Sequence, residues 1–331
     1  MRTISYSRVS DVASAVATAV ADPDSAFLAG GTNAVDLLRI NVEQPRLLVD
    51  INDLPLGQIN DQPDGGLWIG ATARMSEAAE TPGLRQRYPM ISQALELGAS
   101  PQLRHMASMG GNMRQRTRCG YFRDDTVPCN KRKPGTGCAA MNGINRGHAV
   151  LGTSDQCIAT HPSDVAVALV ALDAVLHIEG PKGSRTVPID DFFLLPGQTP
   201  DIEHPIAHGE LIVAIEVPAA PVARRSMYLK VRDRQSYEFA LASAALALRV
   251  DNDVISEARL ALGGVATKPW RARRAEQVLI GAPATRDTFV QAAREEMVPA
   301  VARQMNGYKI ELAQRVMVRV LEMLTANGVT P

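Results

Sequence analysis

Aromatic residues make up only 4% of this 331-residue chain, cysteines number four, and neither sign of charge is in excess, with 35 Lys and Arg against 35 Asp and Glu. Each shortage excludes something. A net charge of zero and few aromatics argue against a nucleic-acid surface, and the charge balance argues equally against attraction to an anionic membrane. No apolar run approaches the ~20 residues needed to span a bilayer. The segment MRTISYSRVSDVASAVATAV carries one early Arg and an internal Asp11, which fits a short amphipathic helix better than a signal peptide, so synthesis in the cytoplasm is expected. There is no internal repeat, no G-x-G-x-x-G fingerprint and no phosphate loop ending in Gly-Lys-Ser/Thr. No acid–base dyad or nucleophile stands out. Four cysteines in so long a chain do not make a disulfide-dependent scaffold of the usual small, cysteine-rich kind.

What is present points to an α+β protein in two or three domains. Hydrophobic residues make up 46% of the chain, enough for real cores, and the length exceeds one compact unit. A helix with Val12, Val16, Ala19 and Val20 on one face, capped at Ser10, leads to a buried strand at Ala26–Ala29, a glycine turn, a helix at Ala34–Ile40 and a strand at Leu47–Ile51. Asn52–Gly66, rich in Asp, Pro and Gly, reads as a connection. Further strands are expected at Leu67–Ala73, Val175–Ile178 and Glu210–Val217, and helices at Met90–Leu97 and, capped by Ser163, at Val165–Leu172. After Pro218-Ala219-Ala220-Pro221 come strands at Met227–Val231, Phe239–Val250 and Arg259–Val265, then helices ending with Val301–Leu324. The pattern is not a regular βαβ array.

Two glycine turns carry the first chemical signal. Leu28-Ala29-Gly30-Gly31-Thr32-Asn33 runs strand, paired glycines, hydroxyl, amide, helix. Glycines let the backbone approach a ligand and turn successive N–H groups toward an anion, and a helix start adds partial positive charge. Ala107-Ser108-Met109-Gly110-Gly111-Asn112 repeats the idea. One such turn alone is more often just a tight turn; two suit a ligand with two phosphates held between subdomains.

The second signal is that all four cysteines share one stretch. Cys119, Cys129, Cys138 and Cys157 are spaced C-x9-C-x8-C-x18-C in a segment, 113–157, with eight Lys and Arg against Asp124, Asp125 and Asp155. Zinc sites usually pair ligands as C-x2–4-C, whereas a cubane iron–sulfur cluster accepts longer, irregular spacings because its corners face different ways. Nearby cations would balance an anionic cluster and lower the thiol pKa values. Two disulfides or a basic nucleic-acid patch are the open alternatives.

Ala29-Gly30-Gly31-Thr32-Asn33, Ser108-Met109-Gly110-Gly111-Asn112 and His161-Pro162-Ser163-Asp164, in this order and spacing, resemble the FAD-binding subunits of the xanthine dehydrogenase family of molybdenum hydroxylases. Gln115-Arg116-Thr117-Arg118-Cys119, Pro128-Cys129-Asn130-Lys131-Arg132 and Ile158-Ala159-Thr160-His161 narrow the likeness to flavin subunits of bacterial periplasmic aldehyde oxidoreductases carrying an extra [4Fe-4S] cluster; the beta subunit of 4-hydroxybenzoyl-CoA reductase has a comparable insertion. The resemblance also takes in Lys230-Val231-Arg232-Asp233-Arg234 and Leu262-Gly263-Gly264-Val265-Ala266, and is weakest over the final helices. It implies an FAD-binding domain of the vanillyl-alcohol-oxidase type in two subdomains, 1–58 and 59–220, followed by a C-terminal α/β domain of the CO dehydrogenase flavoprotein type, 221–331. It implies that Leu28 to Asn33 hold the FAD diphosphate, and that Ser108, Gly111 and Asn112 line the other side. Asp164 would meet ribityl or ribose hydroxyls, Leu211 or Ile212 would pack near the flavin, and Lys230 would sit by the isoalloxazine. The four cysteines would hold the [4Fe-4S] cluster. The partners implied are a large molybdenum-cofactor subunit, a small subunit with two [2Fe-2S] clusters and an external electron acceptor. The chain would stay in the cytoplasm or be co-exported with a signal-bearing partner. Two rival readings are a self-sufficient flavin oxidase and a zinc- or disulfide-stapled binding module.

Overall fold

The computed structural model describes residues 3–326. The N-terminal part is a parallel sheet, ordered β1-β3-β2, of β1 (Ser5–Arg8), β2 (Ser25–Leu28) and β3 (Leu47–Asp50). Leu47 sits opposite both Ser5 and Ser25. Val9, Ala15, Val49, Ile51 and Leu54 form its small core. The helix Val12–Ala21 packs there through Ala15 and Ala19. Val20, expected on the buried face, is 46% exposed. The cap is Asp11 rather than Ser10: its carboxylate accepts from Ser14 N at 2.8 Å, which sets the helix phase.

The middle part is an antiparallel sheet, ordered β4-β5-β8-β6-β7, made of β4 (Ile59–Asp61), β5 (Leu67–Gly70), β6 (Val175–Gly180), β7 (Gly183–Pro188) and β8 (Leu211–Val217). β4 lies inside the stretch expected to be a plain connection; Ile59-Asn60-Asp61 pairs with Ile69-Trp68-Leu67 as an exposed edge, so its sequence need not look apolar. The C-terminal part is an antiparallel sheet, ordered β12-β11-β10-β9, of β9 (Ser226–Val231), β10 (Ala242–Asp251), β11 (Val254–Gly263) and β12 (Trp270–Arg271). Three helices follow, Arg273–Leu279, Arg286–Met297 and Tyr308–Ala326. The last begins seven residues after the expected Val301, because Asn306 holds a loop instead: its Oδ1 accepts from Arg303 N at 2.6 Å and its Nδ2 donates to Ala149 O at 2.9 Å.

One core joins the second and third sheets. The helix Asp164–Ala171 has all eight residues buried, as the apolar run after Asp164 requires, and shares one core with Ile69 and Ile215 of the second sheet and Ala245, Ala247 and Ala261 of the third. The last helix ties the cysteine segment down through Lys309. Lys309 is 1% exposed, and its ammonium donates to the carbonyls of Gly147, at 2.9 Å, and Gly264, at 2.6 Å.

Burial lowers the Lys309 pKa to about 7, with Arg146 adding to the effect. The unfolded chain therefore binds a proton that the folded chain releases as pH rises above about 7, and folding stability should increase with pH from there toward the ordinary lysine range. We expect the urea midpoint to rise more between pH 7 and 8.5 for the native chain than for Lys309→Met; equal slopes would contradict the assignment.

Candidate functional site

A cleft of about 1090 Å3 lies where the parallel sheet, the second sheet and the β9–β10 loop come together. Small-molecule sites usually span roughly 300–1,000 Å3, so this one suits a large ligand. Ala29, Gly30, Gly31, Thr32, Asn33, Ser108, Gly111, Asn112, Asp164, Leu211 and Ile212 all line it. Leu28 and Lys230 do not.

The first glycine turn is shaped by a close approach. A Cβ on Gly30 would stand 1.7 Å from the Met106 carbonyl oxygen, and Gly31 has φ +72°. A larger residue fits at neither without strain. The Met106 carbonyl also accepts from Arg74 Nη1 at 2.7 Å, Arg74 Nη2 donates to Asn52 Oδ1 at 2.9 Å, and Asn52 Nδ2 donates to Ala29 O at 3.1 Å. The turn's main-chain N–H groups from Gly30 to Asn33 donate to no protein group among the described residues. Asn33 Oδ1 accepts from Arg116 N at 2.8 Å, while its buried Nδ2 has no partner. Unpaired buried donors around a cavity fit an acceptor-rich group such as a diphosphate. The helix that follows, Ala34–Arg39, has six residues, so free N–H groups rather than a long helix dipole supply the attraction.

The second turn works differently. Met109 N donates to Ala73 O at 2.9 Å, Gly110 N to Ala71 O at 2.8 Å, and Gly111 N to Ser108 Oγ at 3.2 Å. Its N–H groups are spent holding the turn on the end of β5. Gly110 is glycine because a Cβ would press to 2.8 Å from that of Ala71. Asn112 is likewise fixed, accepting from Ser163 Oγ at 2.5 Å. Ser163 in turn caps the helix Asp164–Ala171 by accepting from Ala166 N at 3.1 Å.

Asp164 stands at the cleft wall with both oxygens engaged, one by Tyr228 Oη at 2.6 Å and the other by Lys230 Nζ at 2.8 Å. Burial pushes its carboxyl above the ordinary range, opposed by Lys230 and Tyr228, and also pushes the Tyr228 phenol well up. Lys230 is on an edge strand, yet its side chain is 1% exposed and its Nζ also donates to Leu97 O at 3.0 Å. It reaches the cleft through Asp164. Leu211 and Ile212, buried at the start of β8, supply apolar wall. Sequence reasoning missed Arg114, Tyr237 and Phe239 as site residues; all three line the cleft in irregular segments, Phe239 lying ahead of β10, which begins at Ala242 and not at Phe239 as expected.

The cysteine segment forms an outer wall. Apart from the short helix Gly120–Arg123 it has no regular structure, and Cys129 pairs with Cys138 in an isolated antiparallel bridge. Leu37 of the helix after the first turn packs with Phe122 and Cys129, and Cys119 lies against them. All four thiols are free. Each raised thiol is pushed further up by other cysteines of the segment: Cys119 by Cys129 and Cys157, Cys138 by Cys129, and Cys157 by Cys138 and Cys129. Among the described residues, no three His, Cys, Asp or Glu side chains stand as the ligand set of a single metal ion. Cys119 Sγ is 3.2 Å from Nε2 of His148, whose own pKa burial lowers to about 4.

The expectation that nearby cations lower the thiol pKa values is not met. Burial raises Cys119 to about 12, Cys157 to about 11, and Cys138 as well. The cations face elsewhere: Arg132 donates to the carbonyls of Tyr121, Phe122 and Val127, Lys131 to Pro200 O and Glu203, and Arg123 to Asp36. Of the cations, Lys131 pulls down the thiol of Cys157, and otherwise it is main-chain N–H groups that oppose the rise. Thiols so buried ionise only if a bound group takes the charge.

Residues 2–220 match the family described as FAD binding domain in molybdopterin dehydrogenase, and residues 227–324 match the CO dehydrogenase flavoprotein C-terminal domain. The chain belongs to the FAD-binding subunits of the molybdenum hydroxylase family. It is an oxidoreductase subunit with an α+β fold. It is 46% identical over 330 residues to the aldehyde oxidoreductase FAD-binding subunit PaoB of Escherichia coli K12, covering 99% of this chain and 100% of that one. It is 27% identical to the putative xanthine dehydrogenase FAD-binding subunit XdhB of the same strain, over 98% of this chain and 97% of that one. Among solved structures, a carbon monoxide dehydrogenase chain from Hydrogenophaga pseudoflava matches with a TM-score of 0.76 and 26% identity, covering 98% of each chain. Among the described residues no helix is long and apolar enough to cross a membrane.

The free N–H groups of the first turn, the unpaired Asn33 Nδ2 and the cleft's size fit the FAD that this family binds. Gly30→Ala should force the turn off the Met106 carbonyl. With strain of about 1–3 kcal/mol, FAD affinity measured by calorimetric titration should fall roughly 5- to 150-fold. Gly147→Ala, where a Cβ meets nothing within 4 Å, should bind as the native chain does. Native affinity in Gly30→Ala would remove the turn from the site.

Proposed function

We propose that this chain is the FAD- and [4Fe-4S]-holding electron-transfer subunit of a molybdenum-containing aldehyde oxidoreductase. In this reading it works beside a large molybdenum-cofactor subunit and a small subunit with two [2Fe-2S] clusters, and delivers electrons to an external acceptor. The observation that carries it is the cleft with free N–H groups beside the segment that holds all four cysteines, in a chain 46% identical to an aldehyde oxidoreductase FAD-binding subunit along its whole length. FAD, when bound, supplies exchange between one- and two-electron carriers.

The chain's own residues bind, orient and shield. Gly30 to Asn33 offer donors to the diphosphate, and Leu211 and Ile212 give the apolar surface an aromatic ring system needs. Asp164, fixed by Tyr228 and Lys230, presents a rigid acceptor for ligand hydroxyls. We assign 1–58 and 59–220 to the two halves of the flavin domain and 221–331 to the domain that covers it. Cys119, Cys129, Cys138 and Cys157 would hold the [4Fe-4S] cluster. The long, irregular C-x9-C-x8-C-x18-C spacing suits a polynuclear centre better than zinc.

The anaerobic visible spectrum of the purified chain, with iron and acid-labile sulfide counted per flavin, tests both halves. Flavin with about four irons and four sulfides, the iron lost in Cys129→Ser, is the expected result. Flavin without iron in anaerobic material would overturn the cluster and leave the family intact. A zinc-loaded, colourless chain that takes up no FAD would overturn the whole reading.

A further inference from the structure

The cleft lining carries Asp24, Asp36, Glu43, Asp164, Glu210 and Glu238, and each has a basic partner within 4 Å. On the basic side, Arg116 pairs with Glu43 and Glu203, Arg123 with Asp36, and Arg234 with Glu238. Arg118 donates to the Arg116 carbonyl and stacks over Phe239 at 5.6 Å. Arg114 also lines the cleft, and its guanidinium has no hydrogen-bond or ion-pair partner among the described residues. Two lining arginines thus have no carboxylate partner among the described residues, and of these Arg118 is held by a carbonyl and an aromatic ring while Arg114 is held by neither.

Arg114 stands between the two turns. Two residues before it, Asn112 ends the second glycine turn and is fixed by Ser163; two residues after it, Arg116 N donates to Asn33 Oδ1 of the first. Arg114 is an exposed residue on the cleft lining, and desolvation by nearby protein and the charge of Arg116 lower its guanidinium pKa while Glu203 and Glu43 oppose this. An arginine remains charged even so, and a guanidinium on the cleft lining that makes no hydrogen bond to the described residues has its donors free for an anionic ligand. The second turn cannot provide positive potential through its N–H groups, since Met109, Gly110 and Gly111 donate to Ala73, Ala71 and Ser108. Guanidinium is the side chain best matched to phosphate oxygens, through two parallel N–H donors.

We propose that Arg114 binds the diphosphate of the dinucleotide, supplying from the second turn's side the charge that the first turn's N–H groups supply from the other. This rests on the reading of the cleft as the FAD site. It makes the site two-sided: neutral donors at Gly30–Asn33, and a cation opposite.

The test is calorimetric titration of the full chain, freed of flavin, with FAD, ADP and adenosine, for the native protein and for Arg114→Gln and Arg114→Lys. Loss of a charge-assisted hydrogen bond predicts that Arg114→Gln weakens FAD and ADP by the same factor, roughly 10- to 150-fold, and leaves adenosine unchanged. Arg114→Lys, a point charge without the fork, should recover part of the loss, and rising salt should weaken native binding more than Arg114→Gln binding. FAD and ADP affinities equal to native in Arg114→Gln would overturn the proposal while keeping the cleft as the flavin site. So would a loss for FAD with none for ADP, which would move Arg114 to the flavin ring. Failure of the native chain to bind FAD or ADP would instead overturn the reading of the cleft itself.

Discussion

The structure turns on one contact: the Gly30 backbone against the Met106 carbonyl, closer than any side chain would permit. It seats the turn after β2 on the end of the helix Pro101–Met106, and the Asn52–Arg74–Met106 hydrogen-bond chain holds it in register. With the two parts locked there, the first turn's N–H groups have nowhere to donate but into the cleft. The second turn meets the opposite demand, its N–H groups anchoring it to the end of β5. One turn is therefore a ligand surface and the other a rigid mount, although they read alike as sequence.

The cysteine segment is part of the same arrangement. Its Phe122 and Cys129 share a small core with Leu37, on the helix that leaves the first turn, and Arg123 pairs with Asp36 on that helix. Lys131 and Arg116 converge on Glu203, and Lys309 holds the far end at Gly147. Ordering so long an irregular segment costs about 1–2 kcal/mol of backbone entropy per residue. These ties, and any group bound by the thiols, offset that cost. The basic residues that look in the sequence like a counter-charge for the thiols act instead as hydrogen-bond donors to carbonyls and as partners for carboxylates in neighbouring loops.

Much of the fold was legible. The strands at Ala26, Leu47, Leu67, Val175, Glu210 and Met227, and the helix capped by Ser163, lie within a few residues of where apolar patterning puts them. What failed has physical causes. Ser5–Arg8 alternates nothing and forms a strand only because β3 pairs with it, and Asp11 outcompetes Ser10 as a cap. For the site, the paired glycines marked the turns, and the family likeness supplied Asp164, Leu211 and Ile212. Neither could reveal that Lys230 is buried behind Asp164, or that Arg114 is left without a partner. Both facts depend on how charges from distant segments cancel, and pattern along one chain does not encode that.

The most direct test of the central claim is a crystal structure of the full chain with FAD bound, read at the diphosphate. Both phosphates should show density in contact with the N–H groups of Gly30 to Asn33, with the Gly30–Met106 approach unchanged from the present structure. Density for the dinucleotide outside the cleft, or a complex in which those N–H groups remain free, would contradict it.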